Sequence, residues 1–166
     1  SLQSYFSLDE LALGWGTGSL VLGAMIGALG SGELTDRFGR RKVLIYVALL
    51  FALSCIGSAL SQTFAAFVLS RILGGLSVGA ASVLSPMYVA EVAPKKIRGT
   101  LVSIYQLTIV IGILISYLIN YSLYGVEDDW RWMFATGTVP SVLFFLGLFA
   151  IPESPRWLYL KGNKEK

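Results

Sequence analysis

Arg71 lies inside FVLSRILGGLSVGAASVL, a run whose other residues are apolar or small. A guanidinium in such surroundings needs a route to water or an intramembrane counter-charge. Glu91, in YVAEVAPKKIRG, stands at the end of the same run, where a carboxylate is equally costly unless paired. The candidate partners are Arg40 and Arg41 of GELTDRFGRRK, with Asp36 beside them at a helix end, and Arg98 just beyond Glu91. Arginine forks suit both carboxylates and the exposed carbonyls of neighbouring helix ends. A plain basic loop that only sets sidedness is the competing reading of that cluster. Gln106 is a third polar intrusion, an amide that can donate and accept at once and so take adjacent hydroxyl groups. Its ordinary alternative is a bond between helices. Ile109 and Ile113 follow at i+3 and i+7 and put an apolar wall on the same face.

Other chemistries lack their residues. The chain has no histidine, and its one cysteine, Cys55, sits in an apolar run, so neither a disulfide within the chain nor a metal cluster can be assembled. There is no nucleophile with a histidine base and no phosphate-binding glycine loop. No enzymatic activity, cofactor, metal or nucleic-acid partner is expected. The net charge of +3 is to be read by position, because basic residues in membrane proteins report sidedness.

The elements that must carry these residues are membrane helices. With 55% hydrophobic residues and a mean hydropathy of +0.69, the 166 residues hold too much apolar surface for one soluble core. Five spans can be marked, at about 11–34, 43–60, 63–89, 101–123 and 132–151, so the fold class expected is an all-α, polytopic membrane bundle. Arg71 falls in the third span, about 12 Å below its start at 1.5 Å per residue. Arg37, Arg40, Arg41 and Lys42, then Lys95, Lys96 and Arg98, then Arg156, Lys161, Lys164 and Lys166 mark one side of the membrane. The other side carries Asp9, Glu10, Glu127, Asp128 and Asp129, with Arg131 as its base. The positive-inside rule therefore predicts residues 1–10 outside and the tail 152–166 in the cytoplasm. No signal peptide is visible in SLQSYFSLDE, and an odd number of spans with a translocated start suggests a preceding helix that this chain lacks. Gly14 and Gly18, Gly23 and Gly27, and Gly75 and Gly79 make notches at four-residue spacing where neighbouring backbones can approach. Pro86 and Pro140 each remove a helical hydrogen bond and permit a bend. Trp130 and Trp132, beside the acidic group, read as part of an interfacial aromatic belt.

The ordered series DRFGRR, RILGG from Arg71, PMYVAEVAPKKIRG, Gln106 with Gly112, WRWMF and PESPRWL resembles the N-terminal half of the sugar porters of the major facilitator superfamily. The resemblance covers nearly the whole chain. It implies spans two to six of a twelve-helix transporter, with the first helix and C-terminal half absent and the tail opening the linker between halves. It further implies alternating access around a monosaccharide bound near the midplane of a plasma or inner membrane. Gln106 matches the family's sugar-binding glutamine, with Ile109 and Ile113 as the apolar wall. The family's xylose-type members carry a second glutamine where this chain has Ile113, which tilts the substrate towards a hexose. Arg71 matches an arginine that, in proton-coupled members, is linked to an acid on the missing first helix. Asp36, Arg37, Arg40, Arg41, Glu91, Arg98, Glu153 and Arg156 fall in the motifs implied to gate the cytoplasmic side. Sugar:proton symport is the activity expected of the full-length parent. A facilitative uniporter, or a non-transporting membrane module that associates with another chain, is the alternative.

Overall fold

The computed structural model describes residues 2–126 and 128–162. Glu127 of the acidic group, and Lys164 and Lys166 of the tail, lie outside the described residues. The described residues form eight helices and no strand: α1 (Leu2–Phe6), α2 (Glu10–Phe38), α3 (Arg40–Leu60), α4 (Phe64–Val92), α5 (Arg98–Leu123), α6 (Asp129–Thr136), α7 (Thr138–Phe149) and α8 (Pro155–Leu160). Helices α2 to α5, and α6 with α7, are long and apolar enough to make five membrane crossings. The shortest has 21 residues. At 1.5 Å per residue it reaches about 30 Å, the thickness of a bilayer's hydrocarbon core.

Local chemistry sets the helix ends. Asp9 accepts from Ala12 N at 2.8 Å to start α2, and Thr63 accepts from Ala66 N at 3.3 Å to start α4. Asp9 is thus an exposed helix cap. Helix α2 runs to Phe38 and carries Glu33, Asp36 and Arg37 with it. Gly39, at φ +97°, then turns the chain into α3, a backbone geometry that favours glycine. Pro86 is absorbed within an unbroken α4. Pro140 acts differently: the last crossing is interrupted at Gly137, three residues before it. Proline has no N–H to offer the carbonyl of Thr136, and its ring crowds that turn. Gly137 also packs closely on α3, since a Cβ there would lie 3.0 Å from Cys55 Sγ.

Of the three glycine pairs, two form the closest interface in the bundle. A Cβ on Gly23 or Gly27 would collide with backbone of α4 at Ile72 and Leu76, and one on Gly75 or Gly79 with backbone of α2 at Leu20 and Ala24. Without side chains between them, α2 and α4 meet backbone to backbone. Gly14 and Gly18 face open space instead. Helix α3 packs on α4 and against α6 and α7. Val43, Leu44, Val47, Ala80, Leu84 and Leu148 form the buried core there. Helix α5 is the exception, with no buried residue along its 26.

At the acidic end Trp130 is 5% exposed and packs among Tyr5, Phe6 and Phe67. This corrects the interfacial belt expected for the tryptophan pair, because only Trp132 is exposed. Arg131 explains the burial of its neighbour. Its guanidinium donates to Ala59 O at 2.9 Å and Ser61 O at 3.1 Å, capping the end of α3, and lies 4.9 Å from the Tyr5 ring centroid and 4.6 Å from that of Trp130.

Candidate functional site

Arg71 lies seven residues into α4, roughly 10 Å along the helix axis. It is half-buried and lines a cavity of about 330 Å³ between α2, α3, α4, α5 and α6. Ser54, Ser58, Ser116 and Asn120 supply hydroxyl and amide groups to the same cavity, and Cys55 a thiol. No carboxylate is among its lining residues. The guanidinium carbon lies 5.2 Å from the ring centroid of Phe134, and among the described residues Arg71 makes no ion pair. Arg71 therefore keeps an intramembrane charge beside polar groups that can hydrate or orient it, but carries no counter-ion from this chain's described part.

Gln106, Ile109 and Ile113 lie on the exposed helix α5, and all three are exposed. Ile109 lines a second cavity, about 440 Å³, with Tyr105, Pro140 and the hydroxyls of Ser77, Ser82 and Ser85. Gln106 and Ile113 are not among the residues lining it, and Gln106 makes no hydrogen bond to the described residues. Its amide is thus unused by the bundle, unlike the interhelical bond that a structural glutamine makes. A wider groove, about 720 Å³ between α2, α3 and α4, is lined by apolar side chains and glycines apart from Tyr46 and offers little to a polyhydroxylated ligand.

The basic end is held by two carboxylates, Glu91 with its side chain buried and Glu153 half-buried. Glu91 and Arg40 have side chains each 6% exposed and approach to 3.3 Å between Oε2 and Nε. Arg40 also donates to Asp36 Oδ1 at 2.9 Å and to Thr35 O at 3.2 Å, and so caps the end of α2. Ser154 donates its hydroxyl to Glu91 in a very short bond, and Arg156 stands 3.9 Å from the other Glu91 oxygen. Glu153 accepts from Arg41 N at 2.9 Å and from Ser154 N at 3.0 Å. Its Oε2 would lie 2.6 Å from a Cβ on Gly39, so the absent side chain is what admits it. The Arg41 side chain donates to the last carbonyls of α7, Leu148 O at 2.9 Å and Phe149 O at 3.0 Å.

Asp36, Arg40, Arg41, Glu91, Glu153 and Arg156 are thus brought together, whereas Arg37 and Arg98 are not. Arg37 pairs with Glu33 one turn back at 2.9 Å on an exposed face. Arg98 opens α5 exposed and makes no ion pair among the described residues. Sequence reasoning missed three members. Ser154 had a readable signal, a serine just before a proline at the start of a helix, and it does cap α8 through Trp157 N. Tyr88 Oη, which donates to Pro152 O at 2.8 Å, and Trp157 Nε1, which donates to Asp36 O at 3.1 Å, had none.

Comparison with known proteins places this geometry. A family model described as "Sugar (and other) transporter" matches residues 2–166. The arabinose-proton symporter of Bacillus subtilis is 48% identical over 169 residues, which cover 98% of this chain and 36% of that protein. The D-xylose transporter of Levilactobacillus brevis is 43% identical, covering 99% of this chain and 36% of its own. The proton:xylose symporter XylE, solved with 6-bromo-6-deoxy-D-glucose bound, superimposes with a TM-score of 0.90 at 39% identity, over 97% of this chain and 41% of that one. The chain therefore spans little more than a third of the length of the curated relatives it matches. Its membrane helices form part of the N-terminal half of a major facilitator bundle, and the chain belongs to the sugar transporter family.

Proposed function

We propose that this chain is part of a transporter that moves a monosaccharide by alternating access with proton symport. The observation that carries the reading is Arg71: a guanidinium held inside a membrane helix, beside a polar cavity, with no counter-ion among the described residues. An acid contributed by another segment of the complete transporter would complete the pair, and movement of that acid relative to Arg71 would load and release a proton. The names of the relatives, two of them proton symporters, support the same reading. Gln106, its amide unspent in the bundle, binds the sugar, with Ile109 and Ile113 against its carbon skeleton. Asp36, Arg40, Arg41, Glu91, Glu153 and Arg156 form the gate of the basic side, with Arg37 and Arg98 at its edge. That side faces the cytoplasm and residues 1–10 face outward, as the basic connections favour. No step of this reading is enzymatic, and none requires a cofactor. The substrate is a hexose by the apolar Ile113, although the relatives named arabinose and xylose symporters or transporters act on pentoses.

The test is a side-by-side assay of the complete transporter in proteoliposomes: sugar binding, counterflow exchange and proton-driven accumulation at matched protein amounts. Arg71→Leu is expected to abolish accumulation and keep counterflow, and normal accumulation by that variant would exclude the coupling role. Gln106→Ala is expected to weaken sugar binding by roughly 1–3 kcal/mol, the cost of lost directional hydrogen bonds, with little change in folding. Unchanged affinity would remove Gln106 from the sugar site, and competition between hexoses and pentoses in the same assay decides the substrate class.

A further inference from the structure

The coupling reading leaves open why Arg71 stays at depth. Its aliphatic stem is long enough to carry the charge outward along α4, and only about seven residues separate it from the helix start. No hydrogen bond from its guanidinium to the described residues holds it back. What it does have is the face of Phe134, 5.2 Å from the guanidinium carbon to the ring centroid. That ring is itself fixed, edge to face against Phe67 at 5.4 Å, and Phe67 is 2% exposed. Phe67 in turn meets Trp130 at 6.1 Å, and Trp130 is pinned by Arg131. A continuous set of rings therefore runs from the acidic end of the bundle to Arg71, and its last member is presented to a cation.

We propose that Phe134 is a positioning residue for Arg71: its ring face, braced by Phe67, holds the guanidinium over the cavity lined by Ser54, Ser58 and Asn120 and prevents it from snorkelling to the membrane surface. The attraction is electrostatic, between the cation and the negative face of the ring, and strengthens where water is scarce. Leucine in place of phenylalanine would fill much of the space and supply none of the attraction. The functional consequence rests on the coupling role proposed above for Arg71, but the contact itself does not.

The experiment replaces Phe134 in the complete transporter with phenylalanines carrying one, two and three ring fluorines, which withdraw charge from the ring face stepwise while nearly keeping its shape. Phe134→Leu, Phe134→Trp and Arg71→Leu are measured beside them. Proton-driven accumulation is expected to fall with each added fluorine and by roughly two- to thirtyfold in Phe134→Leu, the range a cation–π contact spans. Counterflow is expected to stay within about twofold of the parent, as uniform loss of both would indicate lost packing. Phe134→Trp keeps accumulation. A flat fluorine series while Arg71→Leu loses accumulation overturns the proposal and leaves the coupling role standing. If Arg71→Leu accumulates normally, the coupling role falls, and a double-mutant cycle of Phe134→Leu with Arg71→Leu on the thermal midpoint decides the contact. Non-additivity there supports it and additivity overturns it.

Discussion

Glu91 and Arg37 show how differently two charges in the same basic end are bound. The Glu91 side chain is 6% exposed and serves Arg40, Arg156 and Ser154, so Glu91→Ala would take from the buried Arg40 guanidinium its buried counter-ion and leave it Thr35 O and the exposed Asp36. A buried pair broken from one side costs about 3–5 kcal/mol. Arg37 and Glu33 are 71% and 74% exposed, and such pairs are worth at most about 1 kcal/mol. Thermal unfolding of the complete transporter should therefore show a large loss for Glu91→Ala and almost none for Arg37→Ala. Equal losses would mean that the buried network does not hold the basic end. Spacing alone could place Glu91 and Arg40 at the same end of the bundle, since both close apolar runs on one side. It could not choose between Arg40, Arg41 and Arg98, because the choice depends on how α2, α3 and α4 are rotated about their axes. Arg41 turned out to reach the carbonyls of α7, a partner 107 residues away.

Among the elements, α2 gives the sharpest contrast, because its glycines occupy two different environments. Gly27 faces the backbone of Leu76, and Gly14 faces nothing within 4 Å. Gly27→Ala forces α2 and α4 apart, an overpacking cost of about 1–3 kcal/mol or more. Gly14→Ala relieves the entropic cost of a helical glycine and should be neutral or stabilising by up to about 1 kcal/mol. Thermal midpoints of the two variants measured together test the interface, and similar shifts would argue against it. Small residues at four-residue spacing announced that notches existed, but the pattern is the same for Gly14 and Gly18 as for Gly23 and Gly27. Which pair meets a neighbour is decided by the crossing point of the helices, and no local sequence signal encodes it. The apolar length of the five crossings, by contrast, was legible because the bilayer imposes it on each segment separately. The interruption at Gly137 was half legible: Pro140 marked the neighbourhood, and contact with Cys55 set the position.

At the scale of the whole molecule, the absence of any buried residue along α5 shows that the sugar face proposed here is not enclosed by the described residues. The chain spans 36% of the arabinose-proton symporter it resembles, and transport by alternating access needs two halves that move around the ligand. The 166-residue chain alone, reconstituted in liposomes, is expected to show no saturable, stereospecific sugar uptake; such uptake would mean that copies of the chain assemble a pathway. The match to one part of a longer transporter was legible in the order of motifs, whereas the cavity beside Arg71 was not, because five helices contribute to it. The carboxylate of Glu153 has a consequence for how the protein is made. It accepts the backbone N–H of Arg41, at the first turn of α3, where Gly39 supplies no side-chain cap. The group that finishes the start of the second crossing is therefore encoded 112 residues downstream. A ribosome delivers α3 to the membrane long before that carboxylate exists, so the beginning of this helix must wait, open to water at the membrane surface, until the last crossing has been inserted. The glycine thus leaves room for a partner that arrives last.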